Sequence, residues 1–520
     1  MSSKQLFTVR VALIVALGGF LMGFDASVIS GVIKFVETEF SLNSLQIGWV
    51  VGSLTLVSTA AMAISGPLSD KYGRKILLQI AAILYAISAI CSAIAPSYLT
   101  LVIARMIGGI GVGMSLILAP MYIAEIAPSE MRGRLVSFNQ LNIVIGITVA
   151  YFTNYLILDL GKSDSAWAQS MMFDEYNWRW MLGLETLPAI LYFFGMFFVP
   201  ESPRWQIMKG LQEKALRTIE RVVSPEEAKQ QLADVQASLE ADKEKEAVSM
   251  KELFKPAFKL VLTIGLAVAV LQQITGINSV FFYAPMIFEQ SGIGTDASFV
   301  QAILVGLVNL VFTILAILFI DRLGRRPLLI AGLGGITVSM LLLAYGFSTA
   351  TYTLTEASLA GLPTEINMQA LESMVGQTFE SDTDFKTAVG SALGETDAKK
   401  FESNLITAAI SMNPMMILVG ILGFVASFAI SLGPVMWVLF SELFPMRVKG
   451  LAISLAGFVN SGVSFLVQLV FPWELSTFGS STTFLIYGLF ALVGFIFVLR
   501  VVPETKGKTL EELEKVLVKS

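Results

Sequence analysis

The sequence predicts an all-α membrane protein, with twelve transmembrane helices in two similar six-helix bundles. Three observations carry this expectation. Hydrophobic residues make up 55% of the 520 residues and charged residues only 14%, whereas a soluble domain is nearer about 25% charged. Apolar runs of roughly 20 residues, the length that crosses a bilayer, recur about twelve times. One charged loop also occurs twice, as Gly66-Pro-Leu-Ser-Asp70-Lys-Tyr-Gly-Arg74-Lys75 and as Asp321-Arg-Leu-Gly-Arg325-Arg326-Pro327. Each copy lies between two long apolar segments. The repeat implies two similar halves, and its basic character in both copies implies that the halves share an orientation.

The spans centre near Gly19, Thr55, Ala86, Gly109, Ile145, Ala189, Val268, Val308, Gly335, Phe424, Gly462 and Leu489. Half of them precede the polar stretch 206–257 and half follow it. The expected domains are an N-terminal bundle (1–200), a helical linker (201–258), a C-terminal bundle (259–502) with an insert at 351–404, and a tail (503–520). Basic residues gather at 70–75, at Arg132 and Arg134, and across 204–259. They gather again at 322–326, 447–449 and 500–508. The insert holds no Arg, three Lys and nine acidic residues. Positive loops stay cytoplasmic, so both termini and the linker are expected inside a cell (inner or plasma) membrane, with the insert outside.

Smaller signals fill in the rest. The first apolar stretch, about Val11 to Ile33, is span-length and lacks an A-x-A-like site, so it does not read as a cleaved signal. Cys91, the only cysteine, reads as a small buried packing residue in an apolar helix. In the linker, Ser202-Pro203 and Ser224-Pro225-Glu226-Glu227 read as helix starts with capping residues; Thr509 with Glu512 reads the same way in the tail. For the insert, mixed short helix and disorder are expected.

Ionisable residues inside a span cost roughly 2.5–3.5 kcal/mol each. Asp25 lies in the first span and Arg105 in the fourth. Each relieves the desolvation of the other if they meet. Arginine stays charged, so Asp25 is the member that titrates. Histidine is absent, so proton chemistry near neutral pH falls to a carboxylate. A proton site and a static ion pair fixing two helices both fit the residues. The glycines after Arg105, in Gly108-Gly-Ile-Gly-Val-Gly113, follow no strand and precede no Lys-Ser/Thr, so they do not read as a phosphate loop. Gly109 and Gly113 have the spacing of close helix packing.

The seventh span carries Gln272, Gln273 and Asn278 around Gly276, with Phe282 and Pro285 beyond. Three amides where a helix weakens suit a neutral polyol at the midplane. Gln140, Asn309 and Trp437, which follows Gly433-Pro434, add polar and aromatic contacts. An indole covers the apolar face of a sugar ring. The bland reading is amide bonding between helices. The repeated loop, with Asp70, Arg74, Asp321 and Arg325, is joined at span ends by Glu125, Arg132, Glu201, Arg204, Glu442, Lys449 and Glu504. Positive-inside topology explains the Arg and Lys but not the carboxylates, so these charges read as a latch, a cytoplasmic gate.

From end to end the chain resembles the sugar porters of the major facilitator superfamily. The resemblance rests on the two loops, Arg132-Gly133-Arg134, Pro200-Glu-Ser-Pro-Arg204-Trp205, Gln272-Gln273 with Gly276-Ile-Asn278, Gly433-Pro-Val-Met-Trp437 with Ser441-Glu442-Leu-Phe-Pro445, and Pro503-Glu504-Thr505-Lys506-Gly507. Bacterial xylose–proton symporters are the most similar branch. The resemblance implies two halves that rock about a central sugar site. It implies sugar contacts at Gln140, Gln272, Gln273, Asn278, Asn309, Gly433 and Trp437. It also favours a coupling role for Asp25, since proton-coupled members resembling this chain carry Asp there. The chain departs from those symporters at Asn460-Ser461, where they carry Gln-Trp, and at Phe282, where Tyr is usual. Lys449 stands where Arg is usual. Asn460 and Phe282 therefore join the candidate pocket, and xylose itself is not implied.

The function expected is proton-coupled import of a monosaccharide, a hexose or pentose, by alternating access. The partners expected are that sugar, a proton and the bilayer. No cofactor, metal, nucleic acid or obligate protein partner is expected. The alternatives are a sugar or polyol (myo-inositol) facilitator without coupling and, further off, a non-transporting sugar receptor. An enzyme is not expected: no His, Cys–His pair, metal-ligand cluster or nucleotide loop is present.

Overall fold

The computed structural model describes residues 3–244, 250–445, 447–508 and 512–514. Ten of the spanning helices are α1 (Ser3–Glu39), α2 (Ser44–Tyr72), α3 (Arg74–Ala93), α4 (Tyr98–Ile126), α5 (Ser129–Leu160), α6 (Asn177–Phe198), α7 (Pro256–Glu289), α8 (Gly294–Leu323), α9 (Arg325–Ser348) and α10 (Pro414–Leu443). An eleventh segment, Lys449–Val501, runs for 53 residues. At about 1.5 Å per residue it is far longer than a hydrocarbon core of about 30 Å. It divides at Gly479, whose φ of 77° and ψ of 169° leave the helical region and need a residue without Cβ. The result is α11 (449–478) and α12 (480–501). The twelve-helix expectation is thus met by twelve spans among the described residues.

Three spans are broken where their sequences weaken. In α6 the helix stops at Gly183 and resumes at Thr186. In α7 it stops at Ile274 and resumes at Ile277, with Gly276 left-handed at φ 92°. In α10 it stops at Ile430 and resumes at Leu432. The linker forms Pro203–Met208, Gln212–Glu220, Pro225–Glu244 and Met250–Leu253. Ser202 Oγ accepts from Trp205 N–H, and Ser224 and Glu227 exchange bonds as a capping box. The cap expected at Thr509 lies outside the described residues.

Packing divides the chain into two compact units. One holds Met1–Ser27, Ser53–Ala150 and Arg179–Ser249; the other holds Val28–Gly52, Tyr151–Trp178 and Met250–Ser520. In the first unit, Gly109 and Gly113 of α4 face the α2 backbone. A Cβ on them would stand 2.6 Å from Leu54 O and 2.3 Å from Ser58 O. The glycine run therefore serves helix packing. Cys91 on α3 is only half-buried, not buried as expected.

The second unit includes the insert, which is more ordered than its acidic composition suggests. Strands β1 (Thr351–Thr353), β2 (Thr378–Phe379) and β3 (Ile410–Ser411) form an antiparallel sheet in the order β2-β1-β3. Helices Asp382–Leu393 and Glu402–Ala409 pack on it. Tyr352, Leu371, Phe385, Leu405 and Ile406 form a core of their own, with Tyr352 and Phe385 stacked at 5.4 Å. The expectation of partial disorder is corrected. Apolar residues spaced among nine acidic ones still close a small core.

Candidate functional site

The ion pair predicted from two isolated charges forms inside the first unit. Arg105 Nη1 donates to Asp25 Oδ1 at 3.2 Å, and each residue is 2% exposed. A carboxylate and a guanidinium this deeply buried are tolerated because each compensates the other. A third charge that sequence reading passed over joins them. Glu185, at the break in α6, is 2% exposed and interacts electrostatically with both Asp25 and Arg105. Its signal was present, since an acid in the middle of an apolar run carries the same cost as Asp25.

The amides of the second unit form one hydrogen-bonded cluster. Gln272 Nε2 donates to Leu432 O at 2.9 Å and Gly433 O at 3.3 Å. Gln273 Nε2 donates to Gln272 Oε1 and to Asn460 Oδ1, both at 3.2 Å. Asn460 Nδ2 donates to Ala269 O at 2.9 Å and Gln272 Oε1 at 2.8 Å. Asn278 Nδ2 donates to Gln273 Oε1 at 2.8 Å and Ser464 Oγ at 2.6 Å. Gln468 Nε2 also donates to Ser464 Oγ, at 2.8 Å. The cluster thus ties the break in α7 to the break in α10 and to α11. Ser464 and Gln468 were not anticipated. They sit one and two turns beyond Asn460 on its buried face, a spacing readable once α11 is placed.

The other candidates sit nearby or apart. Phe282 is buried one turn beyond Asn278, and Trp437, one turn beyond Gly433, is 48% exposed. Trp437 meets Phe440 edge-on at 5.9 Å. Asn309 is buried on α8 and takes no part in the cluster. Gln140 is an exposed residue of α5 in the first unit.

The repeated loop builds the same charge cluster in each unit. In the first, Arg74 Nε and Nη2 donate to the two oxygens of Glu125 at 3.1 Å. Its Nη1 pairs with Asp70 at 2.8 Å and donates to Ser69 O at 3.1 Å. Glu201 accepts from the N–H groups of Arg74 (3.0 Å), Lys75 (3.2 Å) and Ser202 (2.8 Å), so a carboxylate sits at the N-terminus of α3. Burial pushes the Glu201 carboxyl above its ordinary value, against those N–H groups and the Arg74 charge.

In the second unit, Arg325 Nη2 pairs with Asp321 at 3.0 Å and Glu442 at 2.7 Å, and Nη1 donates to Ile320 O at 3.3 Å. Glu504 accepts from the N–H groups of Arg325 and Arg326 at 3.1 Å. Gly73 and Gly324, at φ 105° and 92°, end one helix and start the next, which sets both arginines at a helix start. Arg132 and Lys449 join neither cluster, and neither makes an ion pair among the described residues; Arg204 is half-buried on the linker. Near Lys449 it is Arg447 that pairs, with Glu252 at 2.6 Å.

Twelve spans with a buried carboxylate in one unit and an uncharged polar cluster in the other define a membrane carrier. The comparisons specify it further. A family profile described as "Sugar (and other) transporter" matches residues 11–363 and 398–517, and the chain belongs to this family. It is 34% identical to the arabinose-proton symporter of Bacillus subtilis (strain 168) over 513 residues, 99% of this chain and 96% of that protein. It is also 34% identical to the D-xylose-proton symporter of Escherichia coli (strain K12) over 546 residues, again 99% and 96%. Among solved structures, the inward open conformation of the xylose transporter XylE from E. coli superposes with a TM-score of 0.74, at 31% identity, covering 98% of this chain and 100% of that one.

Proposed function

We propose that this protein imports a monosaccharide together with a proton, by alternating access. The observation that carries the reading is the buried Asp25–Arg105 pair in a chain whose polar amide cluster lies elsewhere. Asp25 binds the proton. Its ionised form pairs with Arg105, and its neutral form loosens that pair, so proton occupancy changes the cohesion of α1 and α4. Relatives named as arabinose- and D-xylose-proton symporters support coupling.

The sugar binds Gln140, Gln272, Gln273, Asn278, Asn309, Gly433, Asn460 and Trp437, with Phe282 shaping the pocket. Amides give donors and acceptors without charge, which suits ring hydroxyls, and the half-exposed indole of Trp437 offers a face for C–H groups. Asn460 Nδ2 already donates to two protein oxygens and Oδ1 accepts a third bond, so its role is chiefly to hold Gln272 and Gln273. The two arginine–glutamate clusters brace the helix ends that act as the gate. The basic loops and both termini face the cytoplasm of the cell membrane, and the insert faces outward.

The test is sugar-dependent proton uptake into proteoliposomes. Asp25→Asn is expected to exchange sugar across the membrane but not to accumulate it. Accumulation by Asp25→Asn against a gradient would make the ion pair structural and the protein a facilitator.

A further inference from the structure

Asp25 Oδ2 has no hydrogen-bond partner in the protein, and neither do Glu185 Oε1, Tyr85 Oη, Ser115 Oγ or Tyr192 Oη. All five side chains are at least nine-tenths buried. Buried polar atoms are nearly always satisfied, by protein or by ordered water. Five orphans in one helix bundle are therefore unusual, and these five are neighbours.

They form two layers. The first holds Asp25, Arg105 and Glu185. Gly108 packs directly against this layer: a Cβ there would stand 3.0 Å from Asp25 Oδ2 and 2.5 Å from Ser88 Oγ. The second holds Ser115 and Tyr192, and Gly18 packs against it in the same way. A Cβ on Gly18 would stand 2.9 Å from Tyr192 Oη and 3.3 Å from Ser115 Oγ. Tyr85 links the layers, within electrostatic reach of Asp25, Glu185 and Tyr192 and beside Ser115. Tyr192 also lies beside Ser115. The titratable and charged groups facing this strip are thus Asp25 from α1, Tyr85 from α3, Arg105 from α4, and Glu185 and Tyr192 from α6.

The strip has a direction. Gly18 is seven residues nearer than Asp25 to the α1 end that carries Lys4. Ser115 is ten residues nearer than Arg105 to Glu125 on α4. Tyr192 is seven residues nearer than Glu185 to Glu201. Three helices thus agree that the second layer lies about 10–15 Å closer to the charged loops. Two turns further along α4, Tyr122 donates to Pro200 O at 2.7 Å, beside the Glu125–Glu201 cluster.

We propose that Tyr85, Ser115 and Tyr192, bridged by water, relay the proton from Asp25, beside Glu185, towards the charged-loop end of the first unit. The proposal rests on the symport reading. The Asp25 O–H bond breaks as its proton passes to the adjoining water. Each oxygen along the strip accepts one proton and releases its own. The net change is an ionised Asp25 facing Arg105 and one proton delivered at the loop end. No residue of the amide cluster takes part, so the proton has a route of its own.

Tyr85→Phe, Ser115→Ala, Tyr192→Phe and Gly18→Ala test this in proteoliposomes. Two rates are compared: sugar counterflow, which needs no net proton movement, and proton-driven uptake. The expected result is counterflow like that of the unsubstituted protein, with proton-driven uptake lowered about tenfold or more. Melting temperatures of the first three are expected to fall little, because none of these hydroxyls makes a hydrogen bond of full geometry. The relay is overturned if every variant keeps the original ratio of uptake to counterflow. It is also overturned if both rates fall in proportion together with stability, the mark of a packing role. Asp25→Asn in the same vesicles separates the two readings. Absence of sugar-dependent proton uptake by the unsubstituted protein sinks symport and the relay together. Coupling that Asp25→Asn abolishes and the relay variants leave intact sinks the relay alone.

Discussion

Removing Arg74 should destabilise the protein more than removing Arg325, although the two residues occupy equivalent places in a repeated motif. Arg74 is 4% exposed, and it grips Glu125, itself 10% exposed, with two parallel bonds. Arg325 makes one contact to Glu442, which is 24% exposed, and one to Asp321, which is 81% exposed. Its Nε donates to no protein atom. Breaking a buried pair by removing one member costs about 3–5 kcal/mol. A charge-assisted bond to a partly solvated partner is worth about 1.5–3 kcal/mol. Arg74→Ala should therefore lower the melting temperature of purified protein in detergent clearly more than Arg325→Ala. Arg74→Lys keeps the charge but loses the planar fork, so it should fall between Arg74→Ala and the unsubstituted protein. Equal losses at the two positions, or the reverse order, would refute the reasoning that burial and bidentate geometry set the cost.

The remaining predictions use the same assays. Gln272→Leu removes donors to Leu432 O and Gly433 O and an acceptor for Asn460 and Gln273, so sugar affinity measured by equilibrium binding should fall at least tenfold, about 1.4 kcal/mol; an unchanged affinity would take the cluster out of the sugar site. Glu201 carries a carboxyl raised above its ordinary 4.5 by burial. A raised acid favours the folded state fully below its unfolded value, and that contribution is lost as pH rises through the folded value. Melting temperature should therefore decline from pH 4.5 upward, and Glu201→Gln should flatten the decline. An identical slope in the variant would dismiss this. Asp382 accepts from Ser480 N–H at 3.0 Å and Oγ–H at 2.9 Å, capping α12, and Asp382→Ala should cost about 0.5–2 kcal/mol in thermal melts. Lys399 joins the insert to Leu42 O at 2.8 Å and to Glu37 at 3.5 Å. If this tie restrains opening of that end, Lys399→Ala should lower the external KM for sugar, and a raised KM would exclude the restraint.

What the sequence made legible follows from what leaves a trace along the chain. The span count and the Asp25–Arg105 pair were readable because charge in an apolar run is costly and so conspicuous. Gln272, Gln273 and Asn278 stood out as amides beside a glycine. Glu185 carried an equal signal but lay between Gly183 and Thr186, where the helix breaks inside the span, and there it resembled a loop acid. Ser464 and Gln468 were invisible, since serine and glutamine are unremarkable one at a time. Their role depends on α11 bringing them under Asn278. The order of the insert was missed for a related reason. Its acidic surface dominates the composition, while Tyr352, Phe385 and Leu405 meet only after the chain folds back on itself. Arg132 and Lys449 were drawn into the gate by their position at span ends, but their side chains find no carboxylate among the described residues.

The repeated loop and the unrepeated polar residues divide the labour. Arg74 with Glu125 and Glu201 is matched by Arg325 with Glu442 and Glu504, down to the bond from each arginine to the carbonyl five residues before it. Nothing in the second unit's loop cluster matches Asp25 with Arg105, and nothing in the first unit's cluster matches Gln272 with Asn460. A duplicated device that fixes helix ends serves both halves of a moving carrier equally. Proton and sugar sites gain by being different, because a carboxylate that titrates and an amide that stays neutral need opposite surroundings. The first wants burial beside a fixed cation. The second wants neighbours that satisfy it when no sugar is bound and release it when one arrives. The amide cluster already meets the first half of that demand, since Gln272 and Asn460 bond to each other and to backbone. If the amide cluster binds the sugar, as proposed, binding exchanges protein bonds for sugar bonds at the breaks in α7 and α10, and the energetic link between binding and helix movement lies at Gln272.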